Sequence, residues 1–165
     1  MRINKYSPHL LVLPEDKANS DIVNGFLLHP QLNQRAIQIL PPAGGWTSVI
    51  ENFVRNHVSR MRQHSERWMV FLIDFDMDYE RCEYIFRQIP GDLRDRVFVL
   101  GVLDEPEALK KDLQRSLELI GEDLAANCAE HKNELWEHDL LKHNKAELER
   151  MASSVKHFLF NHIDD

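Results

Sequence analysis

The stretch VFLIDFDMDYE, residues 70–80, decides the fold, because four apolar residues run directly into Asp74, Asp76 and Asp78. An unbroken apolar run is typical of a strand that helices cover on both faces of a parallel sheet. Carboxylates spaced this closely repel one another, so they must separate into water or share a cation. Side chains two residues apart point to the same side of a strand, so Asp74 and Asp76 are predicted to face one Mg²⁺ or Mn²⁺ ion. Asp78 is interpreted instead as the cap of the following helix.

Strand-like and helix-like segments alternate along most of the chain. Apolar strand patterns occupy residues 9–14, 36–40, 68–74 and 96–103, and a helical segment follows each of them. This alternation is typical of an α/β fold, and it predicts a parallel four-stranded sheet sandwiched by helices. The prediction divides the chain into an α/β domain, residues 1–110, and a helical C-terminal extension, residues 111–165, that packs on it.

The helical segments carry boundary predictions of their own. Asn19 or Ser20 is expected to cap the first helix, because both can accept a hydrogen bond from a free backbone N–H. The second helix is predicted to run unbroken over residues 47–64. Residues 133–160 have apolar side chains at helical spacing, so they are predicted to be helical throughout.

Acidic residues gather at three of the four predicted strand ends. In open parallel sheets, ligands bind in the crevice outside the carboxyl ends of the strands. Glu107 is interpreted either as a metal-site acid or as a favourable residue in the first turn of a helix that begins at Pro106. The acids that follow the first, third and fourth strands are Glu15 and Asp16, then Asp74, Asp76 and Asp78, then Asp104, Glu105 and Glu107.

Two glycines and several basic residues are candidates for contact with phosphate. Gly44 and Gly45 follow the second strand, where they either form a turn with positive backbone dihedrals or let the backbone approach a phosphate. Arg55 and Lys110 belong to clusters of basic residues that could hold a phosphate backbone. Solvated helix faces are the alternative interpretation of these clusters.

The composition narrows the classes of protein. The formal charge of −7 argues against nonspecific nucleic-acid binding, for which basic surfaces dominate. No apolar run is long enough to cross a membrane, and the first residues lack the layout of a secretory signal. Cys82 and Cys128 have no metal-type spacing and are expected to be reduced thiols, which fits a cytoplasmic location.

The order of these motifs resembles a TOPRIM domain, the catalytic fold of topoisomerases, primases and OLD-family nucleases. That family places a glutamate after the first strand and Asp-x-Asp after a later one, which Glu15 and Asp74-Phe75-Asp76 match. The turn at residues 43–45 looks like the OLD type, and an acid after the fourth strand, Glu105 or Glu107, would match the extra acid of that branch. The resemblance covers roughly residues 8–110.

The resemblance implies metal-dependent phosphodiester chemistry on nucleic acid, with hydrolytic cleavage as the reaction. Glu15, Asp74 and Asp76 would be the catalytic residues, and together with Glu107 they would hold Mg²⁺ or Mn²⁺. Lys17 or an arginine would neutralise the charge that develops on the phosphate. OLD nucleases also carry an ATPase domain, and because this chain has no Walker motif, an ATPase partner would be a separate chain.

Two alternatives from other functional classes stay open. Asp16 stands where the TOPRIM glutamate is commonly followed by glycine, and this departure suits a catalytically inert interaction module that kept the fold. A receiver-like signalling domain would also place an acid pair after its first strand and an aspartate after its third, which Glu15, Asp16 and Asp74 mimic. A receiver needs a lysine after a fifth strand, and the sequence shows no convincing fifth strand.

Overall fold

The computed structural model describes residues 3–161 and contains one parallel sheet. Its strands are β1 (His9–Pro14), β2 (Ile37–Ile39), β3 (Arg67–Leu72) and β4 (Val97–Leu100), in the spatial order β2-β1-β3-β4. β1 and β3 are the central strands and pair in register from His9 opposite Arg67 to Pro14 opposite Leu72. The predicted α/β class and the four-stranded parallel sheet are confirmed.

Seven α-helices surround the sheet within the described residues, and two short 3₁₀ segments, Arg94–Arg96 and Lys142–Asn144, connect neighbouring elements. Four of the helices lie between the strands and a fifth directly follows the last strand, as expected for βα units. In chain order the helices are α1 (Lys17–Phe26), α2 (Trp46–Asn56), α3 (Val58–Gln63), α4 (Arg81–Gln88), α5 (Pro106–Leu113), α6 (Leu117–Ala129) and α7 (Lys145–Leu159).

The alternation of side chains along β1 shows how the layers form. Leu11 and Leu13 point to one face of the sheet, where α2, α3 and α4 cover them. Leu10 and Val12 point to the other face, which α1, α6 and α7 cover. Because both faces are buried, every residue of β1 is buried, and the strand reads as an apolar run rather than as alternating apolar and polar residues.

The helices beyond residue 110 share a core with the sheet. α6 lies so close to α1 that a Cβ atom on Gly25 would stand 1.8 Å from the Glu118 carbonyl oxygen. α7 contacts β1 and β4, and its residues Val155 and Leu159 are buried. The predicted boundary at residue 110 falls inside α5.

Three local boundary predictions are wrong. The cap of α1 is Asp16, whose carboxylate accepts a hydrogen bond from the Asn19 backbone N–H at 3.1 Å, so the helix begins earlier than predicted. The predicted second helix is interrupted at His57, which separates α2 from α3. Asp78 does not cap α4, because Glu80 occupies the cap position and the Asp78 carboxylate instead accepts a hydrogen bond from the Glu80 N–H.

The prediction of continuous helix over residues 133–160 is also wrong for residues 133–144. Helix α7 begins only at Lys145, and the preceding segment folds back over α5 and α6. Its backbone is tied to other elements: the Leu103 N–H donates to the Leu140 carbonyl, and the Leu135 N–H donates to the Asn127 side chain. Tertiary contacts of Leu140 and Leu141 therefore override the local helical spacing.

No helix in the described part of the chain, residues 3–161, combines the length and the apolar character that a membrane span requires.

Candidate metal site at the carboxyl edge of the sheet

The topology creates a crevice between the carboxyl ends of β1 and β3. From β1 the chain crosses to β2 on one side, and β3 and β4 then lie on the other side of β1, so the direction of winding reverses between the two central strands. Ligands of open α/β sheets bind at this reversal. Glu15 follows β1 directly and Asp74 lies two residues after β3, and these residues are only 9 % and 8 % exposed.

The two carboxylates are held by a short network of hydrogen bonds. The Asp74 backbone N–H donates to Glu15 Oε2 at 2.6 Å, and the Asn19 side-chain amide donates to Asp74 Oδ1 at 2.8 Å. The same amide donates to Asp16 Oδ1 at 2.9 Å, so Asn19 links the cap of α1 to the site. Glu15 Oε1 and Asp74 Oδ2 accept no hydrogen bond from the described residues, and neither is sealed from solvent.

The electrostatics of the crevice disfavour two bare negative charges. Burial raises the pKa of Asp74 to about 7, and the nearby charges of Glu15, Asp16 and Asp76 add to this effect, whereas the bond from Asn19 opposes it. Burial also raises the pKa of Glu15. Neither carboxylate forms a salt bridge with a described residue. The charge of Arg81 opposes the rise at Glu15, so a cation in the crevice would remove a repulsion that the protein compensates only in part.

Asp76 leaves the line of the strand. Asp76 and Met77 both have positive φ, 48° and 63°, so the backbone turns sharply after Phe75. The Asp76 side chain is 55 % exposed and pairs with Arg81, whose Nη1 lies 3.0 Å from Asp76 Oδ2. The predicted shared orientation of Asp74 and Asp76 within one strand is therefore wrong, because β3 ends at Leu72.

Arg81, the first residue of α4, is a site residue that the sequence did not reveal. Its Nη1 donates to the Asp74 carbonyl oxygen at 2.6 Å as well as to Asp76. The guanidinium stacks on Trp46, 4.4 Å from the ring centroid, and its Nε is buried without a hydrogen-bond partner among the described residues. A basic residue in the first turn after an acidic loop is the only signal that could have indicated it.

Gly44 and Gly45 serve the site through their backbone. Both have positive φ, 94° and 146°, which confirms the predicted turn. Their N–H groups donate to the Glu15 carbonyl oxygen, at 2.8 and 3.2 Å. These donors fasten the loop before α2 to the end of β1, and they are not free to bind a phosphate.

The other predicted residues lie outside the crevice. Lys17 is exposed and pairs with Asp21 at 2.9 Å. Arg55 is exposed in the last turn of α2, roughly 14 Å along the helix from Trp46 at the rim of the site. Glu107 and Lys110 are exposed on α5, where they line a shallow groove together with Lys111.

The acids therefore come together only in part. Within residues 3–161, no three acidic, histidine or cysteine side chains converge in a geometry that could enclose a metal ion. The crevice offers one free carboxylate oxygen each from Glu15 and Asp74. Two carboxylates match the chemistry of Mg²⁺, which is commonly bound by one or two of them and otherwise keeps its waters or takes oxygens from a substrate phosphate.

The amino ends of the same two strands carry the opposite charge. His9 and Arg67 lie side by side, both buried, and Arg67 Nε donates to His9 Nε2 at 3.0 Å. His9 Nδ1 lies 2.8 Å from the Ser7 carbonyl oxygen, so it carries the ring proton. Burial lowers the pKa of His9, and it lowers the pKa of Arg67 as well.

Comparisons of this chain with models of protein families, with curated proteins and with solved structures produced no match.

Proposed function

We propose that the chain binds one divalent cation, Mg²⁺ or Mn²⁺, between Glu15 and Asp74 and uses it for phosphodiester chemistry on nucleic acid. The observation that carries this proposal is the pair of buried carboxylates at the reversal of the sheet, each with one oxygen free and neither paired with a basic side chain of the described residues. A buried charge without a partner is costly, so its retention at a ligand-binding edge favours a functional role.

The residues of the site would have three roles: to bind the cation, to orient the carboxylates and to stabilise charge on the phosphate. Glu15 and Asp74 would hold the cation, with Asn19 and the Asp74 N–H fixing the orientation of the two carboxylates. When bound, the cation would polarise a phosphate oxygen and activate a water molecule. Arg81, which already lies against Asp74 and Trp46, would stabilise the negative charge that develops on the phosphate.

The substrate class rests on the resemblance to TOPRIM domains together with one feature of the surface. Lys110 and Lys111 line the groove on α5, and neither forms a salt bridge with a described residue. Unpaired lysines in a surface groove can hold a phosphate backbone. The proposal includes a separate ATPase partner, as in the OLD branch of the family.

The experiment that tests this function is a cleavage assay on labelled single-stranded and double-stranded DNA and RNA, with Mn²⁺ or Mg²⁺ or with EDTA. We expect cleavage that requires the metal, and we expect Glu15→Gln and Asp74→Asn each to reduce it by about 100-fold or more. Asp139→Asn, an exposed carboxylate on the segment before α7, is the matched control and should cleave at the wild-type rate. Cleavage that survives either site substitution would contradict the proposal.

A second candidate function, the catalytically inert interaction module, is favoured by the pairing of Asp76 with Arg81. This ion pair withholds from the cation one acid of the Asp-x-Asp motif, and the turn at Asp76 and Met77 directs it away from the strand. The two candidates differ in a measurable way. The inert module would be favoured if the chain binds the metal but shows no metal-dependent cleavage. This result should hold both for the chain alone and after addition of candidate ATPase partners.

A further inference from the structure

A partly open cavity lies between one face of the sheet and the helices α1, α6 and α7 that cover it. It has a volume of about 100 Å³, and apolar side chains of the sheet and of all three helices form nearly all of its wall. It adjoins a second cavity of about 250 Å³ between α6 and α7. The residues that line both cavities are Phe26, Cys128, Trp136, Leu148, Met151 and Leu159.

Such a space is unusual in a protein interior. Cores are packed as densely as organic crystals, and voids larger than a water molecule are few. A void with apolar walls does not hold ordered water, because water needs two or more polar partners, and it binds apolar molecules instead.

The second cavity, which together with the first is called the joined cavities, has three basic side chains and one carboxylate in its wall. Lys156, His131, Lys132 and Glu149 line it, and Lys156 Nζ lies 3.0 Å from His131 Nδ1. Lys132 pairs with Glu130, whereas Lys156 has no carboxylate partner among residues 3–161. Partial burial lowers the pKa of Lys156, so an anion placed beside it would offset a real desolvation cost.

A second polar group lies deeper between the helices. Trp136 lines both cavities, and its Nε1 is buried without a hydrogen-bond partner in the described part of the chain. The indole lies beside the Cys128 thiol, which is only a weak acceptor. A largely apolar cavity with a few polar groups that fix orientation is the usual form of a small-molecule site.

We propose that the joined cavities bind a single-chain amphiphile with an anionic headgroup, of the fatty-acid class. The alkyl tail would fill the inner cavity between the sheet and Met151, and the carboxylate would lie at Lys156. The inner cavity reaches Asn19 near the carboxyl edge of the sheet, but Glu15 and Asp74 line neither cavity. Binding of the amphiphile can therefore be tested separately from binding of the metal.

The test is titration of the whole chain with decanoate, below its micellar concentration, followed by calorimetry and by the melting temperature. We expect saturable binding of one decanoate per chain and a rise in the melting temperature. Decanol, which has the same tail without the charge, should bind about tenfold more weakly, and decyl phosphate should bind comparably to decanoate. No saturable binding of decanoate by the wild type would overturn the proposal.

Two substitutions locate the ligand. Lys156→Gln should weaken decanoate binding by about tenfold and leave decanol unchanged, whereas Lys145→Gln, on the same helix but exposed and outside the cavity, should change neither. Met151→Trp should fill the cavity and abolish binding of both ligands. If Met151→Trp does not keep the far-ultraviolet circular dichroism of the wild type, Leu148→Phe replaces it. Binding that a folded cavity-filling variant retains, or equal binding of decanol and decanoate, would overturn the proposal.

Discussion

At the amino ends of β1 and β3 the side chains of His9 and Arg67 lie together, whereas just beyond the carboxyl ends of the same strands lie Glu15 and Asp74. Both pairs are buried. At the amino end both nitrogens of the His9 ring are hydrogen-bonded within the protein. Neutral His9 accepts a hydrogen bond from Arg67 and donates one to the Ser7 carbonyl oxygen. At the carboxyl end each carboxylate uses only one oxygen within the network, and the two like charges have no basic partner among the described residues.

The difference teaches that burial of charge is not by itself a sign of function. A histidine that can become neutral lets the amino end satisfy its hydrogen bonds without a ligand. Two carboxylates can do so only by taking up a proton or by binding a cation. The pKa of Asp74, about 7, means that this carboxylate readily takes up a proton near neutral pH. We therefore expect a ligand at the carboxyl ends of the two strands and not at their amino ends.

The largest predicted effect is the dependence of stability on pH without metal. The folded chain holds the Asp74 proton up to about pH 7, whereas an unfolded aspartate releases it near pH 4. The free energy of unfolding should therefore fall as the pH rises from about 4 to about 7, by at most roughly 4 kcal/mol from this group. Asp74→Asn should lose this fall, which urea denaturation in EDTA across that range would measure.

The control for this prediction is Asp139→Asn, whose carboxylate is exposed and should leave the pH dependence intact. An identical slope for wild type and Asp74→Asn would show that Asp74 is ionised in the folded state without a cation. The contrast between the two ends of the sheet would then disappear.

A smaller effect is expected at the amino end. Arg67→Met keeps much of the buried side-chain volume but leaves His9 Nε2 without its donor, so we expect a loss of about 1–3 kcal/mol in unfolding free energy. Unlike the effect of Asp74→Asn, this loss should not change when Mg²⁺ is added. A loss that metal reverses would mean that the two ends are coupled. Urea denaturation at constant pH, with and without Mg²⁺, distinguishes these outcomes.

The smallest effect is expected at Asp76. Its ion pair with Arg81 is more than half exposed on the aspartate side, and exposed pairs contribute about 0–1 kcal/mol. Asp76→Asn should therefore lower the melting temperature by no more than a few degrees. A loss of stability as large as that expected for Arg67→Met would show that Asp76 stabilises the buried hydrogen-bond network and does not merely lie at its rim.

The sequence predicted the parts of this molecule that depend on periodicity and order. The unbroken apolar runs predicted the central strands, and the acids after them predicted that Glu15 and Asp74 would lie at one edge. The turn that removes Asp76 from the strand could not be predicted, because positive φ at an aspartate and a methionine has no reliable sequence pattern. The hydrogen bonds of Asn19 could not be predicted either, because the bond from Asn19 to Asp74 joins residues that are 55 positions apart in the chain.

The measurement that tests the metal site most directly is calorimetric titration of the wild-type chain and of Asp74→Asn with Mg²⁺ and Mn²⁺ at about pH 8, above the pKa of Asp74. We predict one saturable site per chain in the wild type, loss of that site in Asp74→Asn, and retention of it in Asp76→Asn, because Glu15 and Asp74 each keep an oxygen that accepts no hydrogen bond from the described residues, whereas Asp76 pairs with Arg81. No saturable binding by the wild type at millimolar metal would contradict the account, as would undiminished binding by Asp74→Asn.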